Sequence, residues 1–210
     1  MKARATTLLI LTLFLAPSCK EQKVVETRVN ERPWIQLEKQ WEGVSGGFVE
    51  NDEPLTIGWG EAMTAVRWTG EPPKPPFELE YKAKRVNGSD FFGTVTFPVR
   101  VGNSDEAYLS LVVGGWGGAT VGISSIDGKD ASENETRTLQ KFDEEVWYHI
   151  RLLRDGERIA AWIDGQKVVD INTDGKLLNL RPGEISGCAP FGFATWQTTG
   201  KIKEVRWRGL

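Results

Sequence analysis

Four carboxylates crowd one short loop: Asp127, Asp130, Glu133 and Glu135, within Ser124-Ser125-Ile126-Asp127-Gly128-Lys129-Asp130-Ala131-Ser132-Glu133-Asn134-Glu135-Thr136. Just upstream, Val113-Gly114-Gly115-Trp116-Gly117-Gly118 sets one indole among four glycines. A bare aromatic ring stacks on apolar C–H faces, and clustered polar groups beside it hydrogen-bond hydroxyls. That combination makes carbohydrate the first ligand class to consider. As catalysts, two of the acids would flank a glycosidic bond, about 5 Å apart for retention and about 6.5–9.5 Å apart for inversion. Sequence spacing does not fix that distance. The same oxygens suit Ca²⁺, although the spacing is not that of an EF-hand and Lys129 interrupts it. The plainest alternative is a solvated loop, in which Asp127-Gly128 makes a turn and Ser132 or Asn134 caps a helical turn.

Trp116 has two readings of its own. Its glycines let a ligand or a backbone approach closely, or its ring fills a sheet edge with the indole N–H bonded to a carbonyl. Trp196-Gln197, at a strand end, is a second platform with an amide beside it, and Asn134 is a further polar group for ligand hydroxyls. Trp147 and Trp162 lie inside regular strands and are packing residues on this reading. His149 is the only histidine, which excludes a multi-histidine zinc site. Neither a Gly-x-Ser-x-Gly elbow nor a phosphate-binding loop is present.

Strands must hold these groups. Phe77–Ala83 alternates apolar and polar residues with period two, the mark of a half-buried strand. Similar runs are Gly93–Val101, Tyr108–Val113, Ala119–Ile123, Val146–Leu153, Arg158–Ile163, Lys167–Ile171, Phe191–Trp196 and Lys201–Arg208. In the Trp147–Asp170 hairpin, Tyr148, Ile150 and Leu152 share one face, while Trp147, His149 and Arg151 share the other. Asp155-Gly156 and Asp164-Gly165 turn the chain. Pro72-Pro73 and Pro75-Pro76 suit a stiff surface connection, not a central strand. No amphipathic helix of three turns is visible, only a short turn near Ala131–Thr138. Short strands at regular spacing predict an all-β sandwich or barrel.

The ends add an address. Lys2 and Arg4 precede the apolar run Leu8–Leu15, too short to span a bilayer, so residues 1–18 read as an export signal. Ala16-Pro17-Ser18-Cys19 is similar to a lipobox, with Cys19 as the lipidated first residue, while Ala16 and Ser18 also satisfy ordinary signal cleavage. The expected product is an exported protein, anchored by lipid and facing the periplasm, or else secreted. Residues 19–32 read as a polar tether, and residues 33–210 as one domain. Removing residues 1–18 takes away two of the 26 basic residues and none of the 29 acidic ones, leaving a net charge of −5. That balance, without a basic block, argues against nucleic acid and against electrostatic docking to a membrane. Lipidation would consume Cys19 and leave Cys188 a small buried hydrophobe; without it, a pairing of the two is conceivable.

Trp147, Tyr148 and Ile150, then Asp155, Gly156, Arg158, Ile159, Trp162, Asp164, Gly165, Val168, Val169 and Asp170, resemble the bacterial 3-keto-disaccharide hydrolase domain family. Phe191–Trp196 and the final strand from Lys201 fit the same pattern. The resemblance implies a single concanavalin A-like, jelly-roll antiparallel β-sandwich. It also implies action on 3-keto-glycosides, with a noncatalytic lectin-like module and a structural envelope lipoprotein as the rival readings. Oxidation at C3 acidifies the C2 proton, so one of Asp127, Asp130, Glu133 or Glu135 would act as base while Arg100 stabilises the enolate. Where many members carry Asn-Ser-Gly, this chain has Thr94–Val99, so no catalytic residue transfers position by position.

Overall fold

The computed structural model describes residues 32–100 and 106–210. The expected export signal, Cys19 and almost all of the tether lie outside the described residues, as does Val101 at the end of one expected strand.

The N-terminal part forms five short strands: β1 (Ile35–Gln36), β2 (Trp41–Ser45), β3 (Val49–Glu50), β4 (Leu55–Ile57) and β5 (Met63–Trp68). Next come β6 (Phe77–Gly88), β7 (Thr94–Arg100), β8 (Ala107–Gly114), β9 (Thr120–Ser124) and β10 (Thr138–Leu139). The last group is β11 (Trp147–Asp155), β12 (Arg158–Ile163), β13 (Gln166–Asn172), β14 (Gly192–Trp196) and β15 (Thr198–Gly209). One sheet runs β13-β12-β11-β6-β15-β4-β3, with β1 also paired to β15; the other runs β10-β9-β8-β7-β14-β5-β2. Every strand pair is antiparallel. The two sheets pack face to face as a concanavalin A-like jelly-roll sandwich.

Alternation explains the packing. On β6, Phe77, Leu79, Tyr81 and Ala83 are fully buried, and on β11 the expected face Tyr148, Ile150 and Leu152 joins them in one cluster. Across the sandwich, Val95, Phe97 and Val99 of β7 meet Leu109, Leu111 and Val113 of β8 and Val121 and Ile123 of β9. The other face of β11 carries His149 and Arg151, which meet Glu80 and Glu78 of β6. Asp164 and Gly165 both have positive φ, 49° and 79°, as a two-residue hairpin turn between twisted strands requires. The proline-rich segment 69–76 crosses from β5 in one sheet to β6 in the other, as a stiff connection should.

Several elements differ from the expectation. The strand expected to stop at Ala83 continues to Gly88, because β15 pairs with it as far as Gly88↔Thr198. The strands β1 to β5 carry too few alternating residues to stand out, and β2 has a register shift between Gly43 and Ser45. The expected turn near Ala131 is present, with Glu133 N and Asn134 N donating to Asp130 O at 2.9 and 3.1 Å.

Candidate functional site

The outward face of the second sheet builds a hollow of about 480 Å³, within the size range of small-ligand sites. Its floor follows from strand alternation: residues between the core-facing positions must point the other way. Thr94 of β7, Ser110 and Val112 of β8 and Ser124 of β9 form that floor. Ser110 lies opposite Ser124 in the β8–β9 register, and its hydroxyl is 2.9 Å from that of Thr96. Small hydroxyl-bearing residues leave room above the sheet and offer hydrogen bonds.

Two tryptophans reach the hollow, one from a loop and one from a strand end. Trp116 sits in the β8–β9 connection with φ 49° and ψ 61°, its neighbours Gly117 and Gly118 at φ 82° and 95°. Consecutive left-handed residues are costly without glycine. They turn the indole outward, 44% exposed. A side chain at Gly118 would also strike Arg85 Nη1 at 2.7 Å. The turn is held from below by Asp90, whose Oδ2 accepts from Gly117 N at 3.0 Å and whose Oδ1 accepts from Phe91 N at 2.8 Å. Trp196 ends β14, half-buried, with its ring centroid 6.3 Å from that of Phe91.

The remaining wall is the segment 180–188, which folds over β14 and β5. Ile185 and Cys188 pack on Met63, Ala65 and Ala194, while Arg181, Pro182, Gly183 and Glu184 line the hollow. Glu184 Oε2 accepts from Met63 N at 3.3 Å. Arg181 Nη1 is 2.8 Å from Asp130 Oδ2, and Ser124 Oγ donates to Asp130 Oδ1 at 3.2 Å. The charged groups lining the hollow are thus Asp90, Glu184 and Arg181, the last paired with Asp130 outside it.

The four-acid loop does not converge. Asp127 accepts from Leu177 N at 2.8 Å and faces Lys176 at 3.8 Å, and Lys176 also bonds Glu135 at 2.5 Å. That ammonium holds the Glu135 carboxyl below its ordinary range. Glu133 is exposed at the turn, so Asp130 alone of the four reaches the wall of the hollow. No cluster of three or more metal-ligating side chains occurs among the described residues, and these oxygens do not fit a shared Ca²⁺. Asn134, expected to meet ligand hydroxyls, is instead occupied within the loop: its amide is buried and donates to the carbonyls of Ile123, Lys129 and Asp130. Its Oδ1 is taken by the N–H and hydroxyl of Thr136. Arg100 is exposed six residues along β7 from Thr94, about 20 Å at strand spacing. Gln197 adjoins the hollow without lining it; its amide donates to Glu61 O at 3.2 Å.

Sequence reasoning missed Asp90, Arg181 and Glu184. Their one local signal was charge set beside Phe91-Phe92 or inside the Pro182-Gly183 turn, where a solvated loop needs no such pairing. Cys188 is buried, as expected of a small hydrophobe, and donates to Phe193 O at 3.5 Å. Burial pushes its thiol up to about 12. Thiolate is the reactive form, so Cys188 in the native protein should stay unlabelled by a thiol reagent near pH ~8.5, the pKa of free cysteine. Unfolding in denaturant should expose the thiol to stoichiometric labelling, read by mass spectrometry.

This arrangement is that of a β-sandwich with a ligand-sized hollow on one sheet. Among solved structures, the chain is similar to the carbohydrate binding module CBM66 from Bacillus subtilis, at 13% identity and TM-score 0.54, covering 84% of this chain and 99% of that one. It is also similar to the VIP36 exoplasmic/lumenal domain in its Ca²⁺/Man3GlcNAc-bound form, at 10% identity and TM-score 0.55, covering 83% and 88%. The Crh5 transglycosylase in complex with NAG matches at 10% identity and TM-score 0.53, covering 85% and 86%. At these identities the likeness shows the fold. No family model matches the chain, and no curated protein matches it by sequence.

Proposed function

We propose that this chain is a saccharide-binding protein that seats its ligand on the outward face of the second sheet. The observation that carries this is the hollow itself, floored by Thr94, Ser110 and Ser124 and lined by both Trp116 and Trp196. Rings take the C–H faces of a sugar and the hydroxyls and carboxylates take its O–H groups. Saccharide ligands named in similar folds, Man3GlcNAc and NAG, support the same class. Asp90 and Glu184 line the hollow, and its one guanidinium, Arg181, is already paired with Asp130, so the ligand is neutral or cationic. A uronate or sulfated glycan would meet uncompensated like charge. The same proposal has the chain exported, held by lipid at Cys19 on the periplasmic side of a membrane or else secreted.

A second reading, cleavage of a 3-keto-glycoside, is favoured by Glu184, which is exposed at the hollow and has one oxygen free of the bond to Met63 N. In that reaction the carboxylate takes the C2 proton, and the electron pair moves onto the C3 carbonyl oxygen as an enolate. The enolate then expels the glycosidic oxygen from C1, the leaving group takes a proton, and water adds across the new C1–C2 double bond. An NMR time course with neutral, anionic and 3-keto disaccharides separates the readings. Line broadening of neutral sugars without new signals is the expected result. New anomeric signals that disappear in Glu184→Gln would establish the enzyme. Equal broadening by uronates would overturn the charge selection, and no broadening by any sugar would overturn the binding proposal.

A further inference from the structure

The outward face of the first sheet lies on the opposite side of the sandwich from the hollow, and its charge is not that of the whole chain. On β6 the core takes Phe77, Leu79, Tyr81 and Ala83, so Glu78, Glu80, Lys82 and Lys84 point outward. Glu78, its side chain only 3% exposed, is shared by Arg151 of β11 and Arg208 of β15. Glu204 is shared by Lys82 at 2.7 Å and Lys203 at 3.4 Å. Asp170 is shared by Arg158 at 2.8 Å and Lys167 at 2.7 Å. Acids that each carry two cations leave this face an excess of positive charge, while Glu80–Arg206 and Glu145–Lys84 balance one to one. Lys201, opposite Lys84 in the β6–β15 register, adds to the excess. The whole-chain balance of −5, which argues against electrostatic docking to a membrane, averages over this asymmetry.

Three indoles are set among the same cations. Trp34 has Arg206 and Arg208 at 4.5 and 4.6 Å from its ring centroid. Trp147 has Lys203 and Lys84 at 4.5 and 5.3 Å, and Trp162 has Arg151 and Lys167 at 4.4 and 5.8 Å. All three rings are half-buried. Tryptophan beside lysine and arginine suits a bilayer surface, where the ring sits at headgroup level and the cations meet acidic lipid.

The chain also enters the fold here. Trp34 directly precedes β1, which pairs with β15 at Ile35↔Trp207. A tether of the length of residues 20–32 spans about 20 Å, so lipid at Cys19 would hold the membrane close to the face that bears Trp34.

Resting on the reading of the chain as lipid-anchored at Cys19, we propose that the outward face of the first sheet docks on the acidic phospholipid surface of that membrane. Its cations meet the headgroups, and Trp34, Trp147 and Trp162 lie among them. The hollow on the opposite sheet is thereby turned away from the bilayer and toward its ligand.

The test places the full chain, processed and purified from the producing cells, on bilayers of phosphatidylcholine alone or of its equimolar mixture with phosphatidylglycerol. Acetylation of individual lysines is then followed by mass spectrometry. Lys129, exposed in a loop beside the second sheet, is the internal reference. On the anionic bilayer, Lys82, Lys167 and Lys203 should react about fivefold more slowly relative to Lys129 than on the neutral one. That is the weight of one basic residue beside an acidic surface. Salt at ~1 M, where the Debye length is ~3 Å, should remove the difference. Lys82→Gln with Lys203→Gln should bring Lys167 back toward its rate on neutral lipid, with an unchanged melting temperature to show that the variant folds. Lys167→Gln, read at Lys82 and Lys203, repeats the test from the other end of the face. Equal slowing of Lys203 and Lys129 would overturn the docking face, as would the same protection on neutral lipid or in the double variant. Protection that arises in detergent alone and grows with protein concentration would assign the face to a second copy of the chain and overturn the proposal. Retention by the neutral bilayer reports the anchor separately. A chain that neutral lipid does not retain, but that anionic lipid protects on this face, would overturn the lipid at Cys19 and support the docking face by itself.

Discussion

Phe193→Ala should cost about 3–5 kcal/mol of folding stability, the range for deleting a buried phenylalanine ring. The side chain is fully buried on β14. Its centroid lies 4.9 Å from Tyr81, 5.2 Å from Trp41 and 5.9 Å from Phe191. Tyr81 belongs to β6 in the opposite sheet, so the ring is a contact between the two layers and not only within one. Its removal leaves a hole bounded by strand backbones that cannot close in, and Tyr81 is itself fixed by a hydrogen bond from its hydroxyl to Gly93 O at 2.8 Å. Urea unfolding monitored by tryptophan fluorescence would measure the loss as a lower midpoint with an unchanged slope. Phe193→Leu, which keeps most of the volume, should cost less than about half as much. Equal costs for the two variants would mean that ring geometry, not volume, matters here.

Trp116→Ala should produce the opposite pattern: binding falls about 10- to 100-fold while stability moves by no more than about 0.5 kcal/mol. The indole is 44% exposed and belongs to neither buried cluster, so truncation leaves no internal hole. Its conformation is set by Gly117, Gly118 and Asp90, none of which the substitution touches. Asp90→Ala should imitate part of the binding loss, because the Gly117 N–H would lose its acceptor and the turn its anchor. Fluorescence titration with the best neutral oligosaccharide, beside thermal melts, checks both halves. Undiminished affinity in Trp116→Ala would remove the hollow as the binding site, whatever the fate of the fold.

What the sequence disclosed was whatever one strand or one turn decides by itself. The faces of β11, the turns at Asp155-Gly156 and Asp164-Gly165 and the burial of Cys188 are of that kind. Trp116 was conspicuous for the same reason, since four glycines around an indole are a local anomaly. Arg181 and Asp130 illustrate what a sequence conceals: fifty-one positions apart, they meet only because a loop after β9 and the segment after β13 lie over the same sheet. The crowding of Asp127, Asp130, Glu133 and Glu135 suggested a joint centre. Lys176, in a distant segment, removes two of them from that count. Asn134 carried a polar label that the fold uses internally, closing the loop's own carbonyls. The strands β1 to β5 escaped notice because their pairing partners supply the regularity that their two to six residues lack.

The position of β15 in the first sheet governs when that sheet can exist. It lies between β6 and β4, and its register with β6 extends from Thr198 to Gly209. Until those residues have left the ribosome, β4 and β3 have no sheet to join, and Phe77, Leu79 and Tyr81 lack the neighbour that completes their edge. The sandwich therefore closes only once β15 is available, through pairings distant in sequence that make folding slow. For the whole of that interval the chain is available to whatever handles unfolded polypeptides.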